Sequence, residues 1–243
     1  MALVIGLSAV AFINACSKSN TSTTVTPTGS SFVSVTNASA GANTYSVYSD
    51  TSNIYSTGTL AYGGSTGAVG ASPYETIASG NHSIKLTNGS STIFLDSNGT
   101  FSNNGYYSFF VYDTGTNIKT LMLNDNLTPP ASGSAEVRFV NLSPNSTSVN
   151  LWLINNDTTT KDSVQFSNAT YAGAGLITSD SLSAFKTIMA GTYKVIVNST
   201  AELNLYSMDS LTFASGKIYT LYTRGYVTGA NMDSLAVGVI ANY

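Results

Sequence analysis

The sequence predicts an all-β protein of two tandem β-sandwich domains carried behind a short export segment. Three observations predict it: apolar and polar residues alternate at a period of two, turn dipeptides punctuate the short runs, and the second half repeats the motif order of the first. At 243 residues the chain exceeds one ordinary sandwich and suits two, because domains cluster near roughly 100 to 150 residues.

Only 9% of residues are charged, while 15 Tyr and 10 Phe carry much of the apolar weight. Such a surface is wetted by hydroxyls and amides rather than by charge, as in extracellular β-proteins. A hydrophobic content of 42% is enough to build cores, which argues against wholesale disorder. The net charge of -3 comes with no basic run, so no nucleic-acid partner is expected.

Taken from its start, the chain is apolar or small from Ala2 to Ile13, far shorter than the ~20 residues a spanning helix needs. It then reads Ile13-Asn14-Ala15-Cys16, which resembles the bacterial lipobox: an aliphatic residue three positions before the cut, a small one just before it, and Cys after it. Asn14 departs from the usual pattern, and no Lys or Arg precedes the apolar run. The resemblance implies a signal peptide over residues 1–15 and acylation of Cys16, with several acyl chains giving stable membrane anchoring. As the only cysteine, Cys16 also excludes a disulfide framework. Residues 16–31 form a polar tether too poor in apolar groups to order itself. Ser17 and Lys18 lack the Asp of inner-membrane retention, so the expected address is the outer membrane of a cell envelope.

The first sandwich is expected over 32–127 and the second over 135–243, joined by a linker over 128–134 where Pro129-Pro130 and Gly133 mark a hinge. Val33-Ser-Val-Thr-Asn37 lines up with Val137-Arg-Phe-Val-Asn141, Tyr45 to Tyr48 with Val149 to Trp152, Tyr74 to Ile84 with Phe185 to Val195, and Phe101 to Phe109 with Phe213 to Leu221. Order and spacing agree across both halves, which points to duplication. Within each copy the strands alternate, as in Tyr193, Val195 and Val197, and turns such as Asn98-Gly99 and Ser215-Gly216 separate them. The least strand-like stretch, Ala169 to Ser183, is expected as a loop or a short helical turn.

Val137-Arg-Phe-Val-Asn-Leu-Ser-Pro144, Ala190-Gly-Thr-Tyr-Lys-Val195 and Gly216-Lys-Ile-Tyr-Thr-Leu-Tyr-Thr-Arg-Gly225 are together similar to the domain of unknown function 4397 family. The resemblance is closer over 135–243 than over 32–127, where Ala40 replaces the Pro of the opening motif. It implies immunoglobulin-like or transthyretin-like β-sandwiches in a bacterial envelope lipoprotein, and it implies no activity.

Acid-base or nucleophilic chemistry needs positioned His, Cys or paired carboxylates, and the supply is thin. His82 is the only histidine; its repeat counterpart is Tyr193, which favours packing. Asp113-Thr-Gly115 spells the tripeptide of aspartic proteases, but the second copy has Arg224-Gly225 there and no partner carboxylate, so a turn explains it better. Asn124-Asp125-Asn126 and Asn155-Asn156-Asp157 lack the carboxylate count of a calcium loop. No catalytic group, cofactor or metal site is expected.

Aromatic side chains are the remaining candidates for binding. Trp152 and Tyr48 match in the repeat, as do Tyr62 and Tyr171; either pair is core or a platform for stacking sugars. Thr158, Ser163, Ser181, Ser210 and Ser234 each follow Asp and precede Thr or an aliphatic residue, which resembles an O-glycosylation motif of some Gram-negative envelopes; a turn or strand start is the competing reading. The function expected is a non-catalytic envelope lipoprotein that engages another envelope protein or a glycan. The alternative is a carbohydrate-binding accessory protein or adhesin.

Overall fold

The computed structural model describes residues 29–243 apart from 42–43, 57, 68–71, 89–92, 115–116, 158–162 and 175–178. The expected signal segment, Cys16, most of the tether, Gly115 and Thr158 lie outside the described residues.

The first unit contains β1 (Ser30–Asn37), β2 (Ser46–Ser49), β3 (Ser52–Asn53), β4 (Glu75–Ala78), β5 (Gly80–Thr87), β6 (Ile93–Phe101), β7 (Tyr106–Tyr112) and β8 (Lys119–Asn124). The second contains β9 (Ser134–Asn141), β10 (Ser148–Asn155), β11 (Ser163–Thr170), a short helix α1 (Ser179–Ser183), β12 (Lys186–Met189), β13 (Gly191–Ser199), β14 (Asn204–Phe213), β15 (Ile218–Arg224) and β16 (Ala236–Ala241). A 3-10 turn at Ala172–Ala174 and α1 fill the stretch expected to be loop or helical turn.

Both units are four-on-four sandwiches: β4-β1-β7-β8 with β3-β2-β5-β6, and β12-β9-β15-β16 with β11-β10-β13-β14. Adding eight to each strand number of the first unit gives the second, so the duplication read from sequence is also one of topology. Registers agree: β1 runs parallel to β7 with Val33 opposite Tyr107, and β9 parallel to β15 with Val137 opposite Tyr219. The first strand thus pairs with the seventh and not the second. That is the transthyretin-like arrangement rather than the immunoglobulin one, which places the first two strands side by side.

Alternation builds each core. Val33, Val35, Val47, Ile84, Leu86 and Phe109 meet between the sheets of the first unit, and Val137, Leu151, Leu153, Val195, Val197 and Leu221 between those of the second. A tyrosine closes the same turn in both: Tyr107 Oη accepts from Ser102 N at 2.7 Å and Tyr219 Oη from Ala214 N at 3.0 Å. Each ring packs edge-on against Phe101 or Phe213 at 5.1 Å. The turns place Asn104 at φ 58° and Gly216 at φ 75°, the left-handed region that Asn and Gly tolerate best.

The two sandwiches are docked on each other. Sheet β4-β1-β7-β8 and sheet β12-β9-β15-β16 turn their outer faces to each other, and Ala38, Phe110, Leu123, Val140, Leu142, Tyr171, Tyr222 and Ile240 form a third apolar cluster there. Burial of these faces explains why β1 and β9 are covered on both sides beyond Val33 and Val137. The contact is reciprocal in the repeat. Phe110 and its counterpart Tyr222 touch at 5.7 Å. Tyr171 of the second unit packs on Tyr112 of the first, and their counterparts Tyr62 and Arg224 pack in the opposite sense. That is how the two halves of an isologous dimer meet, here within one chain. Gly238 is required for it, because a Cβ there would lie 2.2 Å from the Tyr222 ring.

Candidate functional site

At the heart of the docked faces lies a closed polar network. Arg138 on β9 is fully buried, and its Nη2 meets Asp125 Oδ1, just past β8, at 2.6 Å. Arg138 Nη2 also donates to Ser108 Oγ at 2.8 Å and its Nε to Thr220 Oγ1 at 2.8 Å. Thr220 donates to Asn242 Oδ1 (2.7 Å), Asn242 Nδ2 to Tyr74 Oη (2.9 Å), and Tyr74 to Asp125 Oδ2 (2.6 Å), which Ser108 also reaches at 2.7 Å. Phe185 lies under the guanidinium at 4.6 Å. Burial, then the Asp125 charge, pushes the Tyr74 phenol well above its ordinary range, so it acts here as a donor.

Around this network, on one side of the contact, a cleft of about 1130 Å³ opens to solvent between the units. Tyr74 and Tyr106 form one wall, the latter stacked on Phe32 at 4.7 Å and edge-on to Tyr74 at 5.1 Å. Tyr219, Tyr243 and Lys217 form the other, with the Lys217 ammonium 5.0 Å above the Tyr243 ring. Asn126, Thr128 and residues Val239 to Asn242 complete it. The corresponding strand of the first unit is covered: α1 packs on β8, and Leu182 joins the third apolar cluster.

The aromatic residues singled out in sequence divide. Tyr171 is 8% exposed and donates to Asp113 Oδ2 at 2.8 Å, so its ring is spent on the docking contact and is no sugar platform. Tyr62 is half-buried under the Arg224 guanidinium at 4.6 Å, and burial raises its phenol. Both loop tyrosines serve the union of the sandwiches. Trp152 stands on the outer face of β10 beside Gln165 and Ile196, half-exposed, and Tyr48 occupies the same place on β2. Neither is core.

His82 Nδ1 lies 2.6 Å from Asp50 Oδ2 and its Nε2 3.3 Å from Ser79 O, tying a turn together, as a packing role implies. That contact holds the Asp50 carboxyl below its ordinary range. Asp113 accepts from Tyr171 and pairs with Lys119 at 3.0 Å. No group of three or more His, Cys, Asp or Glu converges among the described residues. Ser163, Ser181 and Ser210 are exposed, while Ser234 is half-buried and donates to Gly229 O at 3.2 Å.

Sequence reading missed the Arg138-Asp125 pair, since nothing in a period-two pattern couples two positions on different sheets. One signal was present. Phe110, Val140, Leu142 and Tyr222 are apolar at outward positions, where a solvent-facing sheet would be polar.

The fold and the docked faces define a tandem transthyretin-like β-sandwich protein. A family model described as Domain of unknown function (DUF4397) matches residues 31–152, and the chain belongs to that family. The match runs through the first unit into β10, so the likeness expected to be closer over 135–243 is found mainly in the first half. No curated protein matches. Among solved structures, the chain is similar to a leucine-rich repeat protein from Bacteroides thetaiotaomicron, at 13% identity and a TM-score of 0.23 over 79% of this chain and 25% of that one. The chain thus spans a quarter of that protein's length. It is also similar to a candidate cell adhesion protein from Bacteroides fragilis (12% identity, 88% and 84% coverage, TM-score 0.24) and a candidate adhesin from Bacteroides ovatus (8%, 87% and 92%, 0.24).

Proposed function

We propose that the chain is a non-catalytic binding module of a bacterial envelope, lipid-anchored through Cys16 to the outer membrane and engaging another envelope component. The observation that carries this reading is the open cleft between two sandwiches locked by a buried ion pair. A rigid pair of walls loses little freedom when a ligand enters, which is what a binding module needs. Asp113 and Asp125 are each committed to a cation and a tyrosine hydroxyl, which supports a binding role over a catalytic one.

A photo-activated cross-linker placed at Lys217, at the cleft, and at Trp152, on the outer face, tests the reading in cells. Capture of a discrete partner from Lys217 is the expected result; no adduct from either position would defeat it. The anchor is tested beside it, since Cys16→Ser should move the chain from the membrane to the soluble fraction.

A further inference from the structure

The cleft's chemistry goes a step beyond that reading, on which it rests. We infer that the cleft between the sandwiches is a binding site for a neutral oligosaccharide. Its volume, about 1130 Å³, exceeds a typical small-molecule pocket of roughly 300 to 1,000 Å³ and leaves room for several linked rings.

The lining selects among ligand classes. Its carboxylate, Asp125, is already neutralised by Arg138, so a cation finds no free counter-charge. Among the described residues Lys217 is its one cation, too little for a phosphate or polyanion, which calls for several positive groups or a bidentate arginine. Asn126 and Thr128 are exposed, and a purely apolar guest would strip water from their polar groups without replacing it. Four tyrosines, Tyr74, Tyr106, Tyr219 and Tyr243, offer apolar ring surface with hydroxyls beside it. A pyranose chain has that same mixture: C–H faces for rings, and an edge of hydroxyls that both donate and accept. Tyr74, Asp125 and Asn242 belong at once to the cleft and to the buried network, so its floor is fixed before a ligand arrives.

The sugar surface thus differs from the one the sequence suggested. Tyr171 is buried and Tyr62 covered, whereas Tyr106 and Tyr243 drew no notice because their repeat counterparts are not matched aromatics.

Titration calorimetry and saturation-transfer NMR on the full chain test the assignment, with laminarihexaose, maltohexaose and xylohexaose as neutral probes and hexagalacturonate as the anionic one. At least one neutral probe should bind and contact tyrosine ring protons. Tyr106→Ala and Val239→Trp should each weaken it about tenfold or more, and Trp152→Ala should leave it unchanged. Tyr106 also packs on its neighbours; Val239, 37% exposed, lines the cleft at the edge strand, so a large side chain there occupies it. Equilibrium unfolding of both variants establishes that they are folded. Binding of no neutral probe, preference for hexagalacturonate, or loss of binding in Trp152→Ala but not in Val239→Trp overturns the assignment. If the probes fail while Lys217 still cross-links a partner in cells, the saccharide assignment falls and the binding-module reading stands; if both fail, both fall.

Discussion

The two sandwiches share strand order, register and the tyrosine that closes the turn before the seventh strand, yet bring different chemistry to the face they share. Where the first unit has Ser34, the second has Arg138; where the first has Asp125, the second has Asn242; and where the first has Tyr74, the second has Phe185. Two identical copies meeting this way would make every such contact twice, residue i on j and j on i; here the ion pair is made once. Covalent fusion lets one copy supply the cation and the other the anion. The same freedom separates the flanks, since α1 covers β8 while the cleft lies open along β16.

The largest effect is expected at the charge asymmetry. Arg138→Ala strands a buried carboxylate and should destabilise the chain by about 3–5 kcal/mol, splitting one calorimetric transition into two as the units separate. Asp125→Ala should act alike, while the double change Arg138→Leu with Asp125→Leu should recover most of the loss, because an apolar pair removes both desolvation penalties. If the double variant is worse than either single one, the charges do more than neutralise each other.

Phe110→Ala comes next. Phe110 lies at the point where equivalent residues touch, fully buried, and its truncation should take roughly 3 kcal/mol in denaturant unfolding and weaken the union more than either core.

Smaller is the effect of Tyr222→Phe, which loses the 3.1 Å hydrogen bond to Gly63 O and about 1 kcal/mol. It also sharpens a pH comparison. Burial pushes the phenols of Tyr112 and Tyr222 up to about 12, against about 10 in an unfolded chain. The folded state therefore holds more protons in that window, so the stability involved is complete below about pH 10 and is lost as pH climbs towards about 12. Melting temperature should fall above pH ~10, less steeply in Tyr222→Phe than in the parent.

The smallest effect belongs to matched turns. Gly216→Asn and Asn104→Gly exchange the two residue types that accept positive φ, and each should shift stability by only about 0.5 kcal/mol in thermal melts.

Much of this architecture was legible in sequence. Val33 and Val35, repeated as Val137 and Phe139, carry period two so plainly that strands, cores and duplication follow from spacing alone. Docking was less legible because alternation assigns side chains to faces without saying what covers the outer face. Arg138 and Asp125 lie only thirteen positions apart but in different units, and Pro129-Pro130 between them read as a hinge. Tyr62 and Tyr171 matched across the repeat because the docking contact uses each once, a reason for pairing that resembles a shared ligand role when only the sequence is in view.

The place of β1 has a mechanical consequence. It is the first strand of the described chain, lies between antiparallel β4 and parallel β7, and is covered on both sides beyond Val33. A pull entering at residue 29 runs along that strand, so the hydrogen bonds of both ladders carry the load together in shear instead of parting one by one. The first unit is thereby arranged to take tension along the chain without peeling open.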